Sequence, residues 1–178
     1  ATVEALSKLG FTQPAQVLAI VRGWHHGRYP AIRTARARER LTEVQPLLIA
    51  ALARTADPDA ALASFDRFLA ELPSGVQLFS LLRQNPNLLE LIAAIMGSAP
   101  RLARVLSRRR RVLDAVLDPG FFGSLPNTTN LGQIIDAELS SATDYQDMLD
   151  RARVVANEQA FLIGVRVLTG TITASQAG

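Results

Sequence analysis

The sequence predicts an all-α fold, a multi-helix bundle of short helices punctuated by proline and glycine, with no sheet. Three observations carry this. Apolar residues recur at steps of three and four through most of the chain. All but one of the nine prolines fall between those stripes, where helices start and stop. No segment sustains the alternation, enriched in β-branched residues, that a half-buried strand shows.

The elements follow in order. Thr12 ahead of Pro14 reads as a cap-then-proline start, with Val17, Ile20, Val21 and Trp24 at helical spacing and Gly27 and Pro30 as the stop. Ala37, Leu41, Val44, Leu48 and Ala51 form the next stripe, which Pro46 is expected to kink or split. Asp57-Pro58 starts a helix carrying Leu62, Phe65, Leu69 and Leu72, and Pro73 stops it. Ser74 reads as an N-cap for the segment through Leu82. Asn85-Pro86 restarts the pattern through Met96, with Gly97 as the residue just past the helix end. Pro100 begins another segment. Continuing its period through Arg108–Arg111 would bring Arg109 to the apolar stripe, so a break between two short helices is placed near that run. Residues 119–132 read as a loop. Thr143 is expected to cap a long helix ending at Leu168, closed by Gly170. The organisation is thus a helical bundle over residues 1–118, a loop over 119–132, and further helices over 133–178.

A length of 178 residues suits one domain, or one plus a fragment, at a prior of about 150 residues each. Hydrophobic residues at 48% and charged residues at 20% exclude a disordered chain. No apolar run approaches the roughly 18 residues of a membrane span, and the first ten residues carry no secretory pattern, so a cytoplasmic location is expected. The lack of cysteine removes disulfides, thiol catalysis and thiolate zinc sites together.

Charge is unevenly placed. Residues 1–111 hold 16 basic against 8 acidic residues, and residues 112–178 hold 3 against 8. The densest basic cluster, Arg101, Arg104, Arg108 and Arg109 with the two arginines beyond, has no acid between its ends. Guanidinium groups suit bidentate contacts to carboxylate or phosphate, so this is the candidate partner face, against the plainer reading of a solvated surface. Nucleic acid is disfavoured as its partner, because aromatics for stacking amount to only 6%.

Other patterns read as structural. Adjacent His25 and His26 would project about 100° apart on a helix, unlike a zinc-binding i, i+4 pair. Asp57-Pro58-Asp59, the only D-x-D, sits where carboxylates cap a helix. Asp144, Asp147 and Asp150 fall in the first turns of a helix, where acids are ordinary. Gly123-Ser124 has no carboxylate pair following it. No catalytic residue, cofactor site or metal site is assigned to this chain.

Several segments together resemble the bifunctional glutamine synthetase adenylyltransferase/adenylyl-removing family. Leu72 to Asp118, with its Leu72-Pro73, Gly75, Leu81-Leu82, Asn85-Pro86, Gly97, Ala99-Pro100-Arg101-Leu102 and Leu113-Asp114, is similar to the helical region between that family's two nucleotidyltransferase domains. Trp24, Gly27 and the run from Arg33 to Pro46 fit the same region, and Ala156 to Thr173 resembles the helix leading into the second catalytic domain. The resemblance implies an enzyme that attaches AMP from ATP to glutamine synthetase and removes it by phosphorolysis. Mg²⁺ would be held at a Gly-Ser…D-x-D site, and the PII signalling protein and glutamine would set the direction. This chain matches neither catalytic motif. Residues 1–118 would then be the central linker and regulatory bundle, and 133–178 would lead toward the flanking domain.

Three rivals stand beside this reading. One is an autonomous helical adaptor binding an acidic partner through Arg101–Arg111. Another is a nucleic-acid-binding bundle using Arg28–Arg40. The third is the helical domain of the related PII uridylyltransferase, whose His-Asp motif is not visible because neither histidine is followed by Asp.

Overall fold

The computed structural model describes residues 2–98, 100–108, 110–118, 127–168, 173 and 175. They form α1 (Val3–Lys8), α2 (Pro14–His25), a 3-10 turn (Pro30–Ile32), α3 (Ala35–Ala53), α4 (Pro58–Glu71), α5 (Val76–Gln84), α6 (Pro86–Ser98), α7 (Pro100–Arg108), α8 (Arg110–Leu117), α9 (Thr128–Leu139) and α10 (Tyr145–Leu168). The described residues are otherwise turns and connections, without a strand. The chain divides into two compact units, Ala1–Leu117 and Asp118–Gly178.

In the first unit α4 is the hub, touching α2, α3, α6, α7 and the 3-10 turn. Its start follows directly from Asp57-Pro58: the Asp57 side chain accepts from the Ala60 N–H at 2.9 Å, and Pro58 sits where no amide hydrogen is needed. Leu62, Phe65, Leu69 and Leu72 are all buried, as their spacing requires, and Phe68 joins them. α3 lies beside it and packs on α5 and α6. α6 buries Leu88, Leu89, Leu91, Ile92, Ala93, Ile95 and Met96, more than one stripe, because it has neighbours on several sides.

Glycine ends the first two helices. Gly10 and Gly27 have φ of +102° and +71°, a region that other residues enter only with strain. At the end of α2, Gly27 N–H donates to the Trp24 carbonyl and Arg28 N–H to the Gly23 carbonyl; Gly10 and Phe11 repeat this pattern after α1. Both are Schellman closures.

Some expectations are corrected. α3 runs unsplit through Pro46, with buried Leu41 and Val44 before it and Leu48 and Leu52 after it holding both halves to one core. α5 is preceded by Gly75, not Ser74: the Gly75 N–H donates to the Ala31 carbonyl, and a Cβ there would lie 2.6 Å from that oxygen. Gly97 lies within α6, not beyond it, and a Cβ there would come within 2.5 Å of the Thr55 side chain. Gly97 is therefore a close-approach residue between α6 and the end of α3. α7 is described to Arg108 and α8 from Arg110; the break expected near the arginine run would fall at Arg109, which lies outside the described residues.

The second unit contains α9 and α10, packed together. α9 begins at Thr128, inside the stretch read as loop, because the Asn127 side chain accepts from the Asn130 N–H at 2.8 Å. α10 is capped by Asp144, one residue after the expected Thr143: its side chain accepts from the Asp147 N–H at 2.8 Å, and the Asp147 carboxylate accepts from the Thr143 N–H at 3.0 Å. Among the described residues no helix is long and apolar enough to cross a membrane.

Candidate functional site

The arginine cluster belongs to α7 and its junction with α8. Ala103 and Leu106 are buried, while Arg104 is exposed. Arg101 and Arg108 lie three residues before and four after Arg104, the spacing of one helical face. Arg109 lies outside the described residues. The structure thus offers Arg104 as an accessible cation, with the register of α7 bringing two further arginine positions to its side.

Near this helix a cleft of about 300 Å³ opens where α4 ends and α5 begins, bordered by α7 and α8. Leu72, Leu78, Leu106 and Leu113 make its apolar lining, and Glu71 and Asp114 stand among its polar lining residues. Leu72-Pro73 and Leu113-Asp114 are far apart in sequence, yet both pairs contribute to this one cleft. Sequence reasoning singled out both pairs but had no means of bringing them together, since that depends on how α7 and α8 return to the end of α4.

The patterns read as structural are placed so by their partners. His26 Nδ1 lies 2.7 Å from the Arg22 carbonyl, and His25 Nε2 lies 2.6 Å from Gln45 Oε1, so each ring has its own partner. Asp147 accepts from Arg151 Nε at 2.9 Å, and Asp150 from Arg153 at 3.3 Å. The Arg151 guanidinium, followed by the Thr143 N–H, holds the Asp147 carboxyl below the usual carboxylate range. Gly123-Ser124 lies outside the described residues.

Asp59, in the first turn of α4, serves a different helix from its own. Its carboxylate accepts from the Thr12 N–H at 2.8 Å, the Thr12 hydroxyl at 2.9 Å and the Gln13 N–H at 3.1 Å. Thr12 therefore does not cap α2; it donates to a carboxylate from α4 that serves this N-terminus across 46 residues of chain. Desolvation works against the Asp59 charge, but these three hydrogen bonds outweigh it and lower its pKa.

These assignments bear on Mg²⁺, which the resemblance implies for the parent enzyme. Both carboxylates of the D-x-D are engaged in capping, and among the described residues no three His, Asp or Glu side chains gather as a metal-holding group. The described residues do not fit the metal site implied by the resemblance.

Three of the five arginines of the nucleic-acid rival are engaged, while Arg33 and Arg36 are exposed. Arg28 lies 5.4 Å from the Tyr29 ring centroid, Arg38 donates to the Arg33 and Ile32 carbonyls, and Arg40 joins Arg83 on Glu43. Arg83, then Arg40, lowers the Glu43 pKa, and the pair ties α5 to α3. Arg54 and Glu90 likewise join α3 to α6.

A family model described as glutamate-ammonia ligase adenylyltransferase matches residues 89–178. The chain is 49% identical over 177 residues to a bifunctional glutamine synthetase adenylyltransferase/adenylyl-removing enzyme of Mesorhizobium japonicum. It is 48% identical, over the same length, to proteins of that name in Brucella suis and Rhizobium meliloti. Each alignment takes in 99% of this chain but 18% of the relative, so the chain spans under a fifth of the length of the curated relatives it matches. No solved structure matches it. With half of the sequence matched by the family model and nearly all of it aligned to these relatives, the chain belongs to the glutamate-ammonia ligase adenylyltransferase family.

Proposed function

We propose that this chain is a non-catalytic linker and regulatory module of a cytoplasmic, bifunctional glutamine synthetase adenylyltransferase/adenylyl-removing enzyme, without transferase activity of its own. The observation that carries this reading is the distribution of similarity: near-half identity across the whole chain, yet only 18% of each relative covered. The engagement of Asp57 and Asp59 as caps supports it from the chemical side. Mg²⁺ and ATP belong in this reading to flanking nucleotidyltransferase domains. The module's contribution is positional. A helical body joined to two opposed active sites can bias one over the other, provided that an effector binds two arrangements with different affinities.

Glutamine synthetase is the substrate of the whole enzyme in this reading, and the PII protein and glutamine are its effectors. The accessible cation Arg104 gives an acidic partner a place to dock. The test is calorimetric titration of the chain with PII, uridylylated PII and glutamine at low and moderate salt. Saturable binding that Arg104→Glu and Arg101→Glu weaken supports a sensing module that uses this face. Binding indifferent to both changes removes the arginine face from the account. No binding of any of the three removes the sensing role and leaves a passive spacer.

A further inference from the structure

We propose that the apolar face of α9 around Ile134 and Ile135 docks against another domain of the same longer polypeptide, on a surface apolar at its centre and basic at its edge. The inference rests on the proposed function only in taking the chain as one segment of a larger protein.

α9 has 12 residues and none of them is buried. Helices of this length are marginal in water and draw their stability from burying an apolar face. The face exists: Leu131, Ile134, Ile135 and Leu139 recur at helical spacing. Packing on α10 leaves Leu131 and Leu139 half-buried, but Ile134 and Ile135 each remain 41% exposed. Of the other described isoleucines, Ile32, Ile49, Ile92 and Ile95 are at most 6% exposed, and Ile20 and Ile163 are partly exposed.

Charge and length select the occupant. α9 carries Asp136 and Glu138 and no basic residue. A self-associated pair of α9 faces would concentrate like charges at one interface, and an anionic membrane surface attracts basic helices, not acidic ones. A surface with arginine or lysine around an apolar centre complements this helix. The relatives extend far beyond the aligned region, since this chain covers 18% of them, and the family match over residues 89–178 takes in α9. The longer polypeptide therefore has ample further chain to supply that surface.

The test places a benzophenone amino acid at position 134 of the full-length protein and maps photocrosslinks by mass spectrometry. Crosslinks to residues outside this 178-residue chain support the proposal. Crosslinks confined to this chain, crosslinks to a second copy, or none overturn it. Amide exchange of the full-length Ile134→Asp variant gives an independent readout. Exchange in α9 should rise at least tenfold while α4 stays unchanged, and unaltered exchange in α9 overturns the proposal. The mass of the intact protein separates the two claims. A product no longer than this chain refutes the proposed function, whereas a longer product with crosslinks only inside this chain refutes the docking alone.

Discussion

Trp24 donates its indole N–H to the Asp66 carboxylate at 2.8 Å, fixing the end of α2 to the middle of α4. The other Asp66 oxygen accepts from the Tyr29 hydroxyl at 2.9 Å, so one carboxylate serves two aromatic donors, one at the end of α2 and one in the connection after it. Trp24 is fully buried, and its ring meets Phe65 edge-on at 5.8 Å. Burial, followed by the Asp66 hydrogen bond, raises the Tyr29 pKa above its ordinary value.

Asp66→Ala leaves the indole N–H without its partner in the core and is expected to cost about 2 kcal/mol. Asp66→Asn keeps one acceptor and should cost less. Urea unfolding followed by the fluorescence of Trp24, the only tryptophan, measures both. A loss for Asp66→Ala within about 0.5 kcal/mol, the range of ordinary surface changes, would contradict the assigned role.

Asp59 gives a pH signature. Its folded pKa lies below the unfolded value of about 3.9. The stabilisation it supplies is present above that value and lost as pH falls through the lower, folded pKa. Asp59→Ala should therefore cost about 1 kcal/mol at pH 7, the size of an exposed helix cap. The difference from the parent chain should vanish well below pH 3.9. Stability curves at pH 7 and in acid test this; a cost independent of pH would place the effect in packing instead.

Two glycines in helices should respond oppositely to alanine. At Gly97 the added methyl meets the Thr55 side chain at 2.5 Å, so Gly97→Ala should destabilise by about 1–3 kcal/mol through overpacking. Combining it with Thr55→Gly should recover part of the loss. At Gly164, within α10, nothing lies within 4 Å of an added Cβ, and alanine should stabilise by about 0.5–1 kcal/mol. Thermal unfolding of the two single variants checks the opposite signs.

Gly97 also shows how far the sequence could be read. Helices whose apolar stripe faces one core were legible: α3 and α4 bury the residues their spacing singles out. So was Asp57, because a cap acts within its own chain segment. Gly97 was misread as a helix terminator because a glycine near a helix end looks the same whether it serves a left-handed turn or a close approach to Thr55. Asp59 and Asp66 were missed as anchors because their partners lie 46 and 42 residues away. Pro46 was expected to kink or split its helix, and α3 is not split there. In the candidate site, the arginine cluster was visible as composition, whereas the cleft joining Leu72 to Leu113 required the fold.

The most direct test of the central claim is AMP transfer. The purified 178-residue chain is incubated with labelled ATP, Mg²⁺ and glutamine synthetase, with the full-length enzyme assayed in parallel. The account predicts label on glutamine synthetase only with the full-length enzyme, and background levels with this chain. Turnover by this chain above background would contradict its reading as a non-catalytic module.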